Sequence, residues 1–201
     1  RAWDDGHRLA ESCARRGWQV LALGAPNYPG PLLGLDDPPV LLFVQGGPLT
    51  LDPPRLAIIG TREPSEWGAR TAHECAVAAA RAGAIVVAGL AWGVDTEAHA
   101  AVVAHRGRTW AMLPGALDII YPDANRALAQ QIVEQGGALV SEYLPGTRAQ
   151  PSFFVERDRL QAALADAVVA IETGQTGGTM HTVRFARELG VLRLGGGGAR
   201  L

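Results

Sequence analysis

Lysine is absent from this chain of 201 residues: all 18 of its basic side chains are arginine. That excludes Schiff-base chemistry on a lysine amine and a phosphate loop built around one. The common nucleotide fingerprints are missing too. No GxGxxG follows the first glycine turn, around 60–68, so a nicotinamide or flavin dinucleotide is not expected. There is no GxxxxGK[ST] for P-loop hydrolysis and no GxSxG for a nucleophile elbow. Cysteine occurs only as Cys13 and Cys75, with no CxxC and no paired histidine motif. These read as reduced, packed thiols of a cytoplasmic protein. His99 and His105 lack the spacing of metal ligands, so neither a metal nor a cofactor is expected. No apolar run is long enough to span a bilayer, and the first residues do not read as a signal peptide. A chain opening on Arg1 predicts that upstream residues have been lost. The formal net charge is only −2, so nucleic-acid binding must rest on a local patch.

What is present is a well-populated core and a regular alternation. Apolar residues make up 48% and charged residues 19%, which argues for a folded domain rather than disorder. Residues 1–54 read as a helix, two strands and Pro/Gly turns, forming a small N-terminal segment packed on the main domain. From Arg55 to Leu194 strands alternate with helices. Strands are expected at 55–59, 85–88, 109–113, 138–140, 167–171 and 191–194, and helices at 65–82, 94–105, 124–135, 153–164 and 179–189. Residues 195–201, with Gly195 to Gly198, read as a flexible end. This pattern predicts an α/β protein with an extended Rossmann-like, mostly parallel, doubly wound sheet. Ligands of such sheets sit beyond the carboxyl ends of the strands. Here the hydroxyl-bearing and charged loop residues cluster after strands rather than after helices, as one polar rim requires.

The stretch from Leu56 to Ser65 is central to this reading. Ile58 and Ile59 close a strand, Gly60 turns the chain, and Ser65 is placed to cap the next helix, whose free N–H groups attract anions. Arg62 adds a planar fork of donors suited to phosphate oxygens. Gly177-Gly178-Thr179 before a later helix is a second anion candidate. Asp95 could pair with Arg62 or cap the helix after Gly93, and Glu172 ends a strand at the rim. Arg157 and Arg159 point to opposite sides of one helix, so one can reach the rim while the other makes a salt bridge. Phe154 and Trp92 are candidates for stacking on bases, with core packing the competing role for Phe154. No nucleophile–base pair accompanies the carboxylates, and a binding protein is expected rather than an enzyme.

Together these motifs carry a resemblance. They are Tyr28-Pro29, Asp37-Pro38-Pro39, Ile59-Gly60-Thr61-Arg62 with Ser65 and Gly68, and Ala88-Gly89-Leu90-Ala91-Trp92-Gly93-Val94-Asp95 with Ala98-His99. Leu117-Asp118-Ile119-Ile120-Tyr121-Pro122 with Asn125, and Gly136-Gly137-Ala138-Leu139-Val140-Ser141-Glu142-Tyr143, continue the series. The chain resembles the DprA/Smf family of DNA-processing proteins of bacterial natural transformation. The resemblance implies single-stranded DNA binding without strong sequence preference, loading of the RecA recombinase on that strand, and a homodimer. It implies phosphate contacts at Gly60, Thr61, Arg62 and Ser65 and a second basic motif at Arg157 and Arg159. Gly89 and Gly93 fall within its loop motif.

The chain also departs from the pattern. The family's Phe-Pro-x-Arg-Asn-Arg reads Phe154-Val155-Glu156-Arg157-Asp158-Arg159 here, which puts a carboxylate where the family has an amide and is expected to weaken DNA binding. The family's Ser-Gly-Ser-Leu-Ile-Thr-Ala reads Thr176-Gly177-Gly178-Thr179-Met180-His181-Thr182. Its C-terminal winged-helix module has no counterpart in these residues. The alternative is a small-nucleotide binder or a phosphoribohydrolase-like enzyme on a related scaffold. Gln175-Thr176-Gly177-Gly178-Thr179 partly resembles that group's Pro-Gly-Gly-x-Gly-Thr, without its following Glu. A third reading is an interaction scaffold that has lost its ligand.

Overall fold

The computed structural model describes residues 2–173 and 178–196. Eight strands form one sheet in the order β1-β2-β6-β5-β4-β3-β7-β8. Its parallel part comprises β3 (Arg55–Gly60), β4 (Ile85–Ala88), β5 (Thr109–Met112), β6 (Ala138–Ser141), β7 (Ala167–Ile171) and β8 (Leu192–Gly196). β1 (Trp18–Ala22) and β2 (Leu41–Gly46) join antiparallel at the β6 edge, with Phe43 opposite Ser141 and Val44 opposite Val140. The N-terminal segment is therefore not merely packed on the sheet; its two strands extend it. Gly195 and Gly196, expected in the flexible end, pair with Ala170 and Ile171 in the last strand. Pairing with β7 satisfies backbone groups that a lone glycine run would leave to water.

The strands are short and apolar on both faces, as a sheet covered on both sides requires. Ala57, Ile59, Trp110 and Met112 point to one face, where Leu160 and Ala163 of α5 (Pro151–Ala163) and Val183 and Ala186 of α6 (Gly178–Glu188) cover them. Ile58 and Val86 point to the other, under Ala72, Ala76 and Ala79 of α2 (Glu66–Arg81) and Ala98 and Val102 of α3 (Val94–Ala104). Cys13 of α1 (Ala2–Arg15) and Ile132 of α4 (Arg126–Glu134) close that second face over Phe43 and Leu139. The alanine stripe of α2 lets helix and sheet approach closely, with Ala72 and Ala76 fully buried. Among the described residues no helix is long and apolar enough to cross a membrane.

The chain leaves β3 for β4, β5 and β6 on one side and later returns to β7 on the other side of β3. The loops after β3 and β7 thus run apart and open a crevice between them. This is the topological switch point, where ligands of open α/β sheets bind.

Candidate functional site

A cleft of about 500 Å3 occupies that switch point. Its wall is Gly60 at the end of β3, Thr61 and Arg62 just beyond it, Ala91 from the β4–α3 turn, Asp95 in the first turn of α3, and Glu172 and Thr173 after β7. Phe154, Arg157, Asp158 and Gln161 of α5 enter from one side, at the three- and four-residue spacings that put them on one helix face. Gly178, Thr179 and Thr182 of α6 complete it. The Thr179 hydroxyl donates to the Gly60 carbonyl at 2.9 Å, which ties the start of α6 to the end of β3.

Arg62 is exposed at the mouth, its guanidinium 5.0 Å from the Phe154 ring centroid. No carboxylate lies within ion-pair distance of it among the described residues. Its neighbours are fully engaged. Ser65 caps α2, its hydroxyl accepting from the Gly68 N–H at 3.2 Å. The same hydroxyl donates to Glu172, and the Ser65 N–H donates to the Glu172 carboxylate at 2.7 Å. The anion seat at the helix N-terminus therefore holds the chain's own carboxylate, and Ser65 faces Glu172 instead of an open phosphate site. Gly68 leaves the room for it, since a Cβ there would overlap that carboxylate.

The second basic motif is also spent internally. Arg157 is only 4% exposed; its Nη1 donates to the carbonyls of Gly89 and Met112, both at 2.6 Å, and its Nε to Asp158 at 3.1 Å. It forms the floor of the cleft and clamps the ends of β4 and β5. Arg159 lies outside the cleft, bonded to both oxygens of Glu142 at 2.7 and 2.6 Å. Its expected phosphate contact is corrected to a half-buried salt bridge, because its helix face turns toward β6. Gly89 is corrected as well: it is buried, and a Cβ there would overlap the Arg157 guanidinium, so its bareness serves that arginine. Gly93 has φ 76° and packs against the backbone of Thr61 and Arg62, where any side chain would collide. It sets the approach of two loops and makes no opening for a ligand.

Thr61 stands in the wall, its carbonyl accepting from the Val94 N–H at 3.1 Å. Gly60 and Gly178 also line the cleft, whereas Gly177 lies outside the described residues. Phe154 is in the wall, half-buried; Trp92 is 47% exposed and does not line it. Gln161 carried no expectation from the sequence, and Thr182 was noted only as part of the altered 176–182 motif; their helical spacing from Arg157, Asp158 and Thr179 was the available signal.

The cleft carries three carboxylates, from Asp95, Asp158 and Glu172, against the two guanidinium groups of Arg62 and Arg157. Asp95 is buried and accepts from the N–H groups of Gly89 at 2.9 Å and Ala91 at 3.3 Å. Burial pushes its carboxyl above the usual range, against the pull of Arg157. It shapes the β4–α3 turn rather than pairing with Arg62. Asp158 is pushed up to about 6, first by burial and then by the charge of Asp95, despite the attraction of Arg157. Below the floor, His99 is fully buried and held neutral, its pKa brought down to about 3 by desolvation. Its Nδ1 lies 2.8 Å from the Thr109 hydroxyl, which itself donates to the Val86 carbonyl. No group of three or more His, Cys, Asp or Glu among the described residues is placed to hold a metal ion.

The decisive comparison is with the family model for DNA recombination-mediator protein A, which matches residues 19–194. This chain belongs to that family. Among relatives of the recombination-mediator family, Protein Smf of Borreliella burgdorferi is 32% identical over 173 residues, covering 86% of this chain and 55% of its own length. The DNA processing protein DprA of Bacillus subtilis is 30% identical over 184 residues, covering 91% of this chain and 62% of its own. The chain spans between 44% and 62% of the length of the curated relatives it matches. DprA from Streptococcus pneumoniae superposes with a TM-score of 0.83 at 30% identity, covering 95% of this chain and 68% of that one. DprA from Helicobacter pylori, whose structure is described for its single-stranded DNA binding mode, gives 0.80 at 32% identity over 89% of this chain and 80% of that one. A molybdenum cofactor binding protein from Rippkaea orientalis, at 17% identity and a TM-score of 0.54 over 73% of this chain and 77% of that one, shares the fold alone. The extended Rossmann-like expectation therefore agrees with the family's solved structures.

Proposed function

We propose that this chain binds single-stranded DNA along the rim of the sheet, with a backbone phosphate on Arg62. The observation that carries the reading is the uncommitted Arg62 guanidinium at the mouth of the switch-point cleft. Every carboxylate of the cleft has work elsewhere: Asp95 on two backbone N–H groups, Asp158 on Arg157, and Glu172 on the N-terminus of α2. Arg62 is left as the cation that can meet a phosphate without first breaking an ion pair. Membership of the recombination-mediator family and the binding mode described for the Helicobacter pylori relative support the same reading.

The proposal extends to DNA processing in natural transformation: the chain protects the incoming strand, helps load RecA on it and works as a homodimer. Support for these steps lies in family membership. It carries a cytoplasmic setting, with which the free thiols of Cys13 and Cys75 agree. The role is binding, without catalysis.

The test is fluorescence anisotropy of a labelled oligothymidylate at several salt concentrations, with a nucleoside monophosphate as competitor. The parent chain should bind with an affinity that falls as salt rises. Arg62→Ala should weaken binding to all sequences and lower the slope of log Kd against log salt by about 0.7, one phosphate contact on a single strand. Unchanged binding by Arg62→Ala refutes the phosphate site. Binding of the mononucleotide but not the oligonucleotide would favour the small-nucleotide reading.

A further inference from the structure

Of the two aromatic residues that the sequence offers for base stacking, Trp92 lies outside the cleft, and the Phe154 ring is already engaged on two sides. The Arg62 guanidinium sits over it at 5.0 Å, and the Tyr121 ring meets it at 5.5 Å with an interplanar angle of 76°. This edge-to-face arrangement is a favourable geometry for two aromatic rings. It also leaves Phe154 as the inner member of a series that runs from Arg62 through Phe154 to Tyr121. The outer member is open: Tyr121 is 45% exposed, while its neighbour Pro122 is buried and anchors the turn.

We infer that Tyr121 is the stacking platform for an unpaired base of the strand whose phosphate rests on Arg62. The inference rests on the single-stranded DNA reading above and deepens it. Phe154 becomes a positioning residue, holding the guanidinium on one side and the phenol ring on the other. An exposed aromatic ring one ring away from an unpaired cation fits a ligand that carries a negative charge and a flat apolar face within one repeating unit. A nucleotide chain has both. Stacking on a phenol ring is sequence-tolerant because every base presents a π face. The tyrosine hydroxyl keeps the free ring compatible with water when no strand is bound.

The experiment compares the parent chain with Tyr121→Ala, Tyr121→Leu, Tyr121→Phe and Arg62→Ala. Each is titrated against labelled oligothymidylate and against a strand of equal length made of abasic units. Tyr121→Ala and Tyr121→Leu should weaken binding to oligothymidylate at least fivefold, the lower bound for loss of one stacked base. Leucine keeps an apolar contact with Phe154, so it guards against a folding defect in the alanine variant. Tyr121→Phe should bind within twofold of the parent, and the salt slope should be unchanged in all three tyrosine variants. On the abasic strand all three should equal the parent. The inference is overturned if Tyr121→Ala and Tyr121→Leu bind oligothymidylate like the parent, if Tyr121→Phe is as weak as they are, or if the loss is equal on the abasic strand. A parent chain that binds no oligonucleotide overturns both readings. Loss in Arg62→Ala with none at Tyr121 overturns this one alone.

Discussion

Replacing Asp158 by asparagine removes a charge that the fold holds at a cost. The side chain is only 10% exposed, and burial outweighs the attraction of Arg157 at 3.1 Å, so the carboxyl is pushed up to about 6 from its ordinary 3.8. At neutral pH the ionised form is thus disfavoured in the folded chain by about 3 kcal/mol relative to the unfolded one. A folded-state pKa raised above the unfolded value gives a contribution that is full below about pH 4 and lost as the pH rises through about 6. Asparagine stands in for the protonated form: it keeps an oxygen for the donors of Arg157 and Gln161, 3.1 and 3.3 Å away, and carries no charge. Asp158→Asn should therefore stabilise the chain by up to about 3 kcal/mol at pH 7.5 and by only about 1 kcal/mol at pH 4.5. For a domain of this size that is a rise in Tm of about 6–12 °C at the higher pH. Thermal denaturation of parent and variant at the two pH values is the assay. A variant less stable than the parent at pH 7.5, or a gain of equal size at both, refutes the account of the buried carboxylate. With one charge fewer in the cleft, the variant should also bind oligothymidylate more tightly, and the gain should shrink as salt rises.

The same site gives two further expected outcomes. Glu172→Gln should bind oligonucleotide more tightly, because the N-terminus of α2 loses its internal anion; it should also cost about 0.3–1 kcal/mol of stability through the lost charge–dipole interaction. An affinity equal to the parent's in anisotropy would mean that the strand never reaches Ser65. His99, neutral in the fold with its pKa near 3, contributes stability that is present above its ordinary 6.5 and lost as the pH falls toward 3. The stability difference between parent and His99→Leu, from urea denaturation, should therefore shrink by about 1.4 kcal/mol per pH unit below about pH 6. A difference that does not vary with pH would show that the imidazole is not held neutral.

Much of the architecture was legible before any coordinates. The βα alternation from Arg55 onward, the Ser65 cap and the glycine that closes β3 are local signals, each confined to a few neighbouring residues. Two parts of the fold were not. That β2 would pair with β6 depends on an antiparallel register between segments about 95 residues apart, with Phe43 opposite Ser141, and no local pattern encodes it. The strand role of Gly195 and Gly196 likewise depends on the exposed edge of β7, since glycine has little strand preference of its own.

The candidate site divides along the same line. Period and punctuation were enough to place Gly60, Thr61, Arg62, Glu172 and Thr179 at one end of a parallel sheet, because strand direction and turn chemistry are written locally. Which of the charges remain available to a ligand was settled by the packing. Arg157 meets carbonyls 68 and 45 residues away, Arg159 meets Glu142, and Ser65 meets Glu172 107 residues away. An arginine in a string of letters looks the same whether it faces solvent or clamps two strands. Its donors are finite, and only the folded chain determines which acceptors reach them first.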